Sequence, residues 1–295
     1  MTTGPLSLAV VVVSFNTREA TLACLASLGR CGDLETFVVD NASADGTSGA
    51  IRSAFPTVHL IENGTNLGFS AACNRGWLAT RADNVLFLNS DARLEPDGPS
   101  RLVGRLSSDA TVGIVGPRIV DEEGKIEVST GDDLGVRSEL RQRRLVKGVA
   151  AGRVGPIARA TSLHSRERSV DWVSGACLLA RRTVLEATSG FDEGFFLYEE
   201  DADLCLRARR VGWKVLFTPS VSAVHQRGVS MSRDPGLARL AYHRSHLRYY
   251  RKHRGQASCV LLRGLLLGRC VAALAGGRRS EARALLDLAL TTEPV

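Results

Sequence analysis

The chain has 295 residues, 44% of them hydrophobic, and seven cysteines with no C-x-x-C pair, which allows a large buried core and argues against a disulfide framework or a structural zinc site. The net charge of +7 is uneven: residues 132–168 carry nine Lys/Arg against four acids and residues 227–295 thirteen against four, and these excesses of five and nine leave −7 for the rest. The basicity therefore belongs to one internal segment and the tail, which points to a local anionic partner such as a membrane surface or a phosphate-bearing acceptor, and no motif supports nucleic acid.

The chain opens on MTTGPLSLAVVVVSFN, whose apolar run is too short for export or spanning and reads as a buried strand in a cytoplasmic protein. Residues 8–14 and 36–40 are β-branched runs separated by a helical pattern at Leu22, Leu25, Ala26 and Leu28, a βαβ unit. Further runs at Val58–Ile61 and Val85–Leu88 extend the alternation, which predicts a parallel doubly wound sheet. Ligands of such sheets bind at the carboxyl ends of the strands. Every one of those ends is polar: Ser14, Phe15 and Asn16; Asp40 to Ser43; Asn63 to Gly68; and Asn89, Ser90 and Asp91.

No G-x-G-x-x-G or G-x-x-x-x-G-K follows the first strand, so the chain is neither a dinucleotide-binding Rossmann domain nor a P-loop enzyme. Asp40 is placed to accept from a base N–H or a ribose hydroxyl, and the Asn63–Gly68 turn can bring backbone close to a ligand, although both stretches also suit ordinary turns and caps. Asp91 leaves the apolar strand VLFL as a hard-oxygen ligand able to hold a divalent cation against a diphosphate. The competing reading is a polar strand end before a helix starting near Pro96.

Between Asp132 and Arg168 periodicity fades and glycine and arginine dominate, the pattern of a long mobile insertion over 131–169. Trp172 to Leu179 then predicts a strand with a small-residue turn at Ser174-Gly175-Ala176, where a ligand can approach backbone. The stretch Gly190–Trp213, GFDEGFFLYEEDADLCLRARRVGW, sets Asp192, Glu193, Glu199, Glu200, Asp201 and Asp203 beside Phe195, Phe196 and Tyr198. A helix from Glu200 would place Leu204, Ala208 and Val211 on one face. Acids suit any first helical turn, but desolvation by adjacent aromatics is also how a carboxylate is tuned into a general base. Trp213–Phe217 predicts another strand, and His225 ends an apolar segment beside a glycine turn, where a metal or phosphate ligand would sit.

Taken together, VVVSFN, VVDNASADGT, NLGFSAACNRG, LFLNSDA, SGACLLARR, the Gly190–Trp213 stretch and VHQRGVS, in this order over roughly residues 8–254, resemble the GT-A fold family 2 glycosyltransferases, and most closely the bacterial rhamnosyltransferase branch. The resemblance implies an α/β Rossmann-like nucleotide-diphospho-sugar transferase fold over residues 1–230 with a basic helical extension over 231–295. It implies inverting transfer of a sugar, with dTDP-L-rhamnose as the suggested donor and UDP- or GDP-sugars as alternatives, to a hydroxyl of a glycan or lipid-linked acceptor. Carried over motif by motif, Asp201 would be the general base. Ser14, Phe15, Asn16, Asp40, Asn41, Asn66, Gly68, Asn74, Asn89, Ser90 and Asp91 would line the donor, and Trp172, Ser174, Gly175 and Glu200 the acceptor. Asp91 and His225 would hold Mg²⁺ or Mn²⁺. One departure stands out, because Asn89 occupies the first position of the D-x-D motif.

In the tail, residues 257–275 have the hydrophobicity of a membrane segment but include Arg263 and Arg269, each expensive at a bilayer centre. Six residues apart, the two do not share one narrow polar face. The segment is expected either to anchor the chain peripherally at the inner face of the plasma membrane or to pack on the catalytic domain or a second copy.

Overall fold

A computed structural model describes residues 7–226 and 235–290; the expected domain boundary at residue 230 and the second half of VHQRGVS lie outside them. The order is β1 (Leu8–Ser14), α1 (Arg18–Leu28), β2 (Glu35–Asp40), α2 (Thr47–Ala54), β3 (His59–Glu62), α3 (Phe69–Ala79), β4 (Asn84–Asn89), β5 (Ala92–Leu94), α4 (Gly98–Ser107), β6 (Val112–Val120) and β7 (Thr130–Gly131). It continues through α5 (Val136–Ala150), α6 (Val154–Leu163), β8 (Arg168–Val170), β9 (Trp172–Val173), β10 (Cys177–Arg181), α7 (Arg182–Thr188), α8 (Glu200–Arg210) and β11 (Lys214–His225). Three helices follow: α9 (Pro235–His253), α10 (Gly255–Ala275) and α11 (Arg279–Leu290).

β1 to β4 form as their β-branched runs predict, paired in parallel as β3-β2-β1-β4 and buried on both faces in the centre. Beyond β4 the expectation of an all-parallel sheet fails. β10 runs antiparallel to both β4 and β6, so the large sheet is mixed, in the order β3-β2-β1-β4-β10-β6-β11-β5 with β8 on β11. A parallel strand needs a crossover that returns the chain to the amino ends. β10 instead enters from the small β7–β9 ribbon, and the Asn89 N–H donates to the Ala176 carbonyl at 3.0 Å, so it starts at the carboxyl end of β4 and must run back.

Helices cover both faces of this sheet. α3, α7 and α8 bury Ala72, Trp77, Leu185, Leu204 and Ala208 on one side, while α1, α2 and α4 bury Leu25, Leu28, Ile51, Leu102 and Leu106 on the other. Val211 does not share the buried stripe of α8, since it caps the helix and is exposed.

β11 joins what the sequence presents as two pieces, the WKVLF run and the apolar segment before His225. Pro219 interrupts the pattern, and a bulge between Thr218 and Ser222 absorbs it, after which pairing with β6 resumes and β5 is added. Over 131–169 the structure has two helices, α5 and α6, packed on one another, where the sequence suggested a segment without periodicity. The reason lies in α5, which turns a carboxylate, Glu139, inward and leaves Leu140 exposed, so hydrophobic periodicity cannot mark it. A third core ties the last helices to the stretch before them, with Phe195, Ala202 and Leu206 packed among Leu247, Tyr249, Tyr250, Leu262 and Leu266.

Candidate active site

The carboxyl ends of β1, β2 and β4 and the amino end of β10 converge, and β11 delivers His225 to the same place. β5 turns back against β11 with Ala92 opposite His225, which sets Asp91, one residue before it, against the imidazole. Asp91 Oδ1 lies 3.2 Å from His225 Nε2, and Glu127 Oε2 lies 3.1 Å from Nδ1. The Asn89 amide is 3.4 Å from Nε2. Burial works against charge on this ring, but the hydrogen bonds to Asp91 and Glu127 outweigh it and push its pKa up to about 9.

These residues fit a divalent cation. Two donor atoms, Asp91 Oδ1 and His225 Nε2, already converge at 3.2 Å, near the spacing of adjacent ligands on bonds of about 2.1 Å. Glu127 behind Nδ1 is the outer carboxylate that orients a ligating imidazole. Among the described residues no group of three or more His, Cys, Asp or Glu converges on a cation position, so a cation here would draw its remaining ligands from a bound diphosphate and water.

Asp201, in the first turn of α8, meets the β10 entry as well. Its Oδ2 accepts from the Gly175 N–H at 2.8 Å, so the Ser174-Gly175-Ala176 turn bonds Asp201 through one residue and Asn89 through the next. The Asp201 carboxyl is desolvated, an effect opposed by the backbone N–H groups of Gly175 and Ala202, and its pKa is pushed up to about 6. That suits a base working near neutral pH. Glu200 is turned inward instead. It is buried, Oε2 has no hydrogen-bond partner among the described residues, and burial followed by the neighbouring Asp201 charge holds its carboxyl well above the usual range.

The backbone before α8 is strained. Tyr198 and Glu199 both have positive φ, 72° and 65°, at a cost on the order of 1–3 kcal/mol each. Contacts from α9 hold this elbow: Ser245 Oγ donates to the Leu197 carbonyl at 2.7 Å, and His246 Nδ1 pairs with Glu199 at 3.0 Å. His246 Nε2 meets Glu139 of α5 at 3.0 Å. Burial opposes the charge on His246, but its two carboxylates prevail and push its pKa up to about 9.

The expected donor residues divide by role. Asn16 knits two loops, its Oδ1 accepting from the Ala44 N–H and its N–H donating to Ser43 Oγ, and Phe15 beside it is half-buried. Asp40 is buried, with hydroxyls of Ser43 and Ser48 on its carboxylate. Asn41 donates to the Gly68 carbonyl, and Asn66 accepts from the Gly68 N–H. Gly68 itself has φ +85°, and an added Cβ would lie 2.6 Å from the Phe196 carbonyl oxygen, so only glycine lets α3 start against that loop. Ser14 and Ser90 are buried in a hydroxyl cluster with Thr17 and Thr21. Asn74 is spent on structure, bonding Phe191, Glu193 and the Trp77 indole. On the acceptor side Trp172 donates to the Asp132 carbonyl, and Ser174 Oγ accepts from Ala176. Sequence reasoning missed Glu127 and the whole α9 brace, because neither carries a local signal: each matters only through a partner about a hundred or about fifty residues away.

Comparison with known proteins bears on this geometry. The profile of the glycosyl transferase family 2 matches residues 9–187. The chain is 32% identical over 260 residues, 81% of its own length and 82% of the relative's, to an N-acetylglucosaminyl-diphospho-decaprenol L-rhamnosyltransferase of Mycobacterium tuberculosis. A hexosyltransferase of low-salt glycan biosynthesis from Haloferax volcanii is 24% identical, covering 77% of this chain and 69% of that one. Among solved structures, a mannosyltransferase from Pyrobaculum calidifontis in complex with GDP-Man and Mn²⁺ superposes with a TM-score of 0.61, covering 99% of this chain and 89% of the other at 18% identity, a likeness of fold. The chain belongs to glycosyl transferase family 2, is a glycosyltransferase, and falls with the family's rhamnosyltransferases.

Proposed function

We propose that the chain transfers L-rhamnose from dTDP-L-rhamnose, with inversion, to a hydroxyl of a lipid-linked N-acetylglucosaminyl diphosphate on the cytoplasmic face of the membrane. The observation that carries the reading is the pairing of a desolvated carboxylate at Asp201 with an Asp91–His225 cluster across the Ser174–Ala176 turn. An inverting displacement needs those two parts: a base on the acceptor hydroxyl and positive charge on the departing diphosphate. Asp201 takes the acceptor proton as the hydroxyl oxygen attacks the anomeric carbon, and the bond to the diphosphate oxygen breaks on the opposite face. Asp91 and His225 would hold a divalent cation, which would supply charge neutralisation at the leaving diphosphate. The N–H groups of Gly175 and Ala202, donating to Oδ2 and Oδ1, hold the Asp201 carboxylate in place for that role. The sugar and acceptor assignments are supported by the name of the 32% identical mycobacterial relative, and the dTDP carrier by the family resemblance of the motifs.

The test is a donor screen scored by nucleoside diphosphate release, with dTDP-, UDP- and GDP-sugars offered alongside a synthetic lipid-linked N-acetylglucosaminyl diphosphate and Mg²⁺ or Mn²⁺. Acceptor-dependent release of dTDP from dTDP-L-rhamnose is expected. Release confined to a UDP- or GDP-sugar would overturn the donor assignment, and no stimulation by the lipid-linked acceptor would overturn the acceptor.

A further inference from the structure

α10, with 21 residues, is the one described helix long and apolar enough to cross a membrane. It packs along α9 and α11, burying Leu262, Leu266, Cys270 and Ala273. The opposite face is open: Val260, Leu261, Leu265, Leu267, Val271 and Leu274 are all exposed. Gly264 and Gly268 lie among them with nothing within 4 Å of an added Cβ, so no described residue covers the face there. At 3.6 residues per turn these side chains span about 180° of the helix. Arg263 falls just outside one border, about 20° from Leu274, and Arg269 just outside the other, about 40° from Leu265. The two arginines that deny α10 a narrow polar face thus flank an apolar one, the placement in which long cationic side chains keep their charge in water while their stems cover apolar surface.

At the Arg269 border a cavity of about 220 Å³ opens between the three C-terminal helices. It is lined by Arg239 and His243 from α9, Arg269 and Ala272 from α10, Arg278 from the turn before α11, and Glu281 from α11. Glu281 pairs with Arg239 at 2.7 Å and with Arg278 at 3.0 Å, and Arg269 lies 3.0 Å from His243 Nε2. The His243 ring is kept neutral, since burial and then the Arg269 charge push its pKa down to about 4. Three guanidiniums therefore face one carboxylate in a cavity that adjoins the apolar face.

We propose that this cavity binds the phosphate of an anionic phospholipid while the open face of α10 lies in the headgroup and acyl boundary of the bilayer, so that the helix rests along the membrane without crossing it. Guanidinium groups match phosphate oxygens bidentately, and an apolar surface together with a cationic site is the pair of signals that peripheral attachment requires. Charge decides against a second copy as the occupant. A two-fold contact would bring this patch against itself, arginines facing arginines, whereas an anionic surface complements it. Packing against α9 and α11 decides against crossing, because burial of α10 in lipid would strip it from Leu285 and Leu288 of α11.

The experiment is flotation of the full chain with phosphatidylcholine vesicles, with or without phosphatidylglycerol, and it does not depend on the transfer reaction. Binding is expected on the anionic vesicles, weakening with salt. Arg278→Gln should lower that affinity about fivefold, and Leu265→Asp, at an exposed position that leaves the packing intact, should lower it further while thermal unfolding stays unchanged. Absence of binding to anionic vesicles at low salt overturns the proposal, as does equal binding to neutral vesicles or indifference to both variants. Saturation of the cavity by inorganic phosphate without vesicle binding would assign it to a soluble anion, and a concentration-dependent dimer lost in Leu265→Asp, without vesicle binding, would assign the face to a second copy; either result also overturns it.

Discussion

At the scale of single residues, the site gives two carboxylates different surroundings, and the proposed roles follow from them. Asp201 is desolvated and accepts backbone N–H bonds, with its pKa near 6, while Asp91 faces the His225 imidazole, which Glu127 orients from its other nitrogen. Asp201→Asn keeps the shape of the side chain and the space around it, so donor affinity measured by calorimetry should hardly move, while turnover falls by about 10²–10⁴-fold. Equal loss of affinity and rate would place Asp201 on the donor. Asp91→Ala has the opposite signature, in which Mn²⁺-dependent binding of the nucleoside diphosphate weakens, and an unchanged metal titration would remove Asp91 from the cation site.

Among elements, α9 is the piece whose importance no local feature announces. It runs along the strained turn before α8, and His246 bridges Glu199 at that turn to Glu139 on α5. Asp203 of α8 is fully buried and meets Lys252 and His253, both at 2.7 Å, from the end of the same helix. Removing one partner of such a buried pair typically costs about 3–5 kcal/mol. For His246 the folded pKa, about 9, lies above its ordinary value of 6.5, so its stabilisation is fully present below about pH 6.5 and is lost as pH rises to about 9. The stability gap between the wild type and His246→Gln, measured by urea unfolding, should therefore be widest near pH 6 and close toward pH 9. A gap constant across that range would show that His246 is not charged in the fold.

Over the whole molecule, the C-terminal helices are not an appendage to a finished catalytic domain. Phe195, Ala202 and Leu206, which flank the start of α8, are buried in the same core as Tyr249, Tyr250 and Leu262, and Asp192 is paired with Arg248 and Lys252 of α9. A chain ending before α9 would expose that core, leave Glu199 without His246 and leave Asp203 with Arg207 as its one remaining partner among those described. It should lose cooperative unfolding and donor binding together, whereas a chain ending after Gly255 keeps α9 and should retain both more fully. Donor binding preserved without α9 would mean that the sheet and its covering helices hold the site alone.

What the sequence determined by itself was local. Runs of β-branched residues made β1 to β4, polar residues at their ends marked where a ligand lies, and the acids after Phe195 and Phe196 marked the first turn of α8, because each of these effects acts between neighbours in the chain. Tertiary structure decided whatever depends on distant partners. It reversed β10 by the end from which the chain approaches, hid α5 from periodicity by burying Glu139 against Tyr250 and His246, and spent Asn74 on the Phe191 backbone. It also set Arg263 and Arg269 on the borders of one apolar face, a placement that their spacing allows but that only the packing of α10 on α9 and α11 makes meaningful.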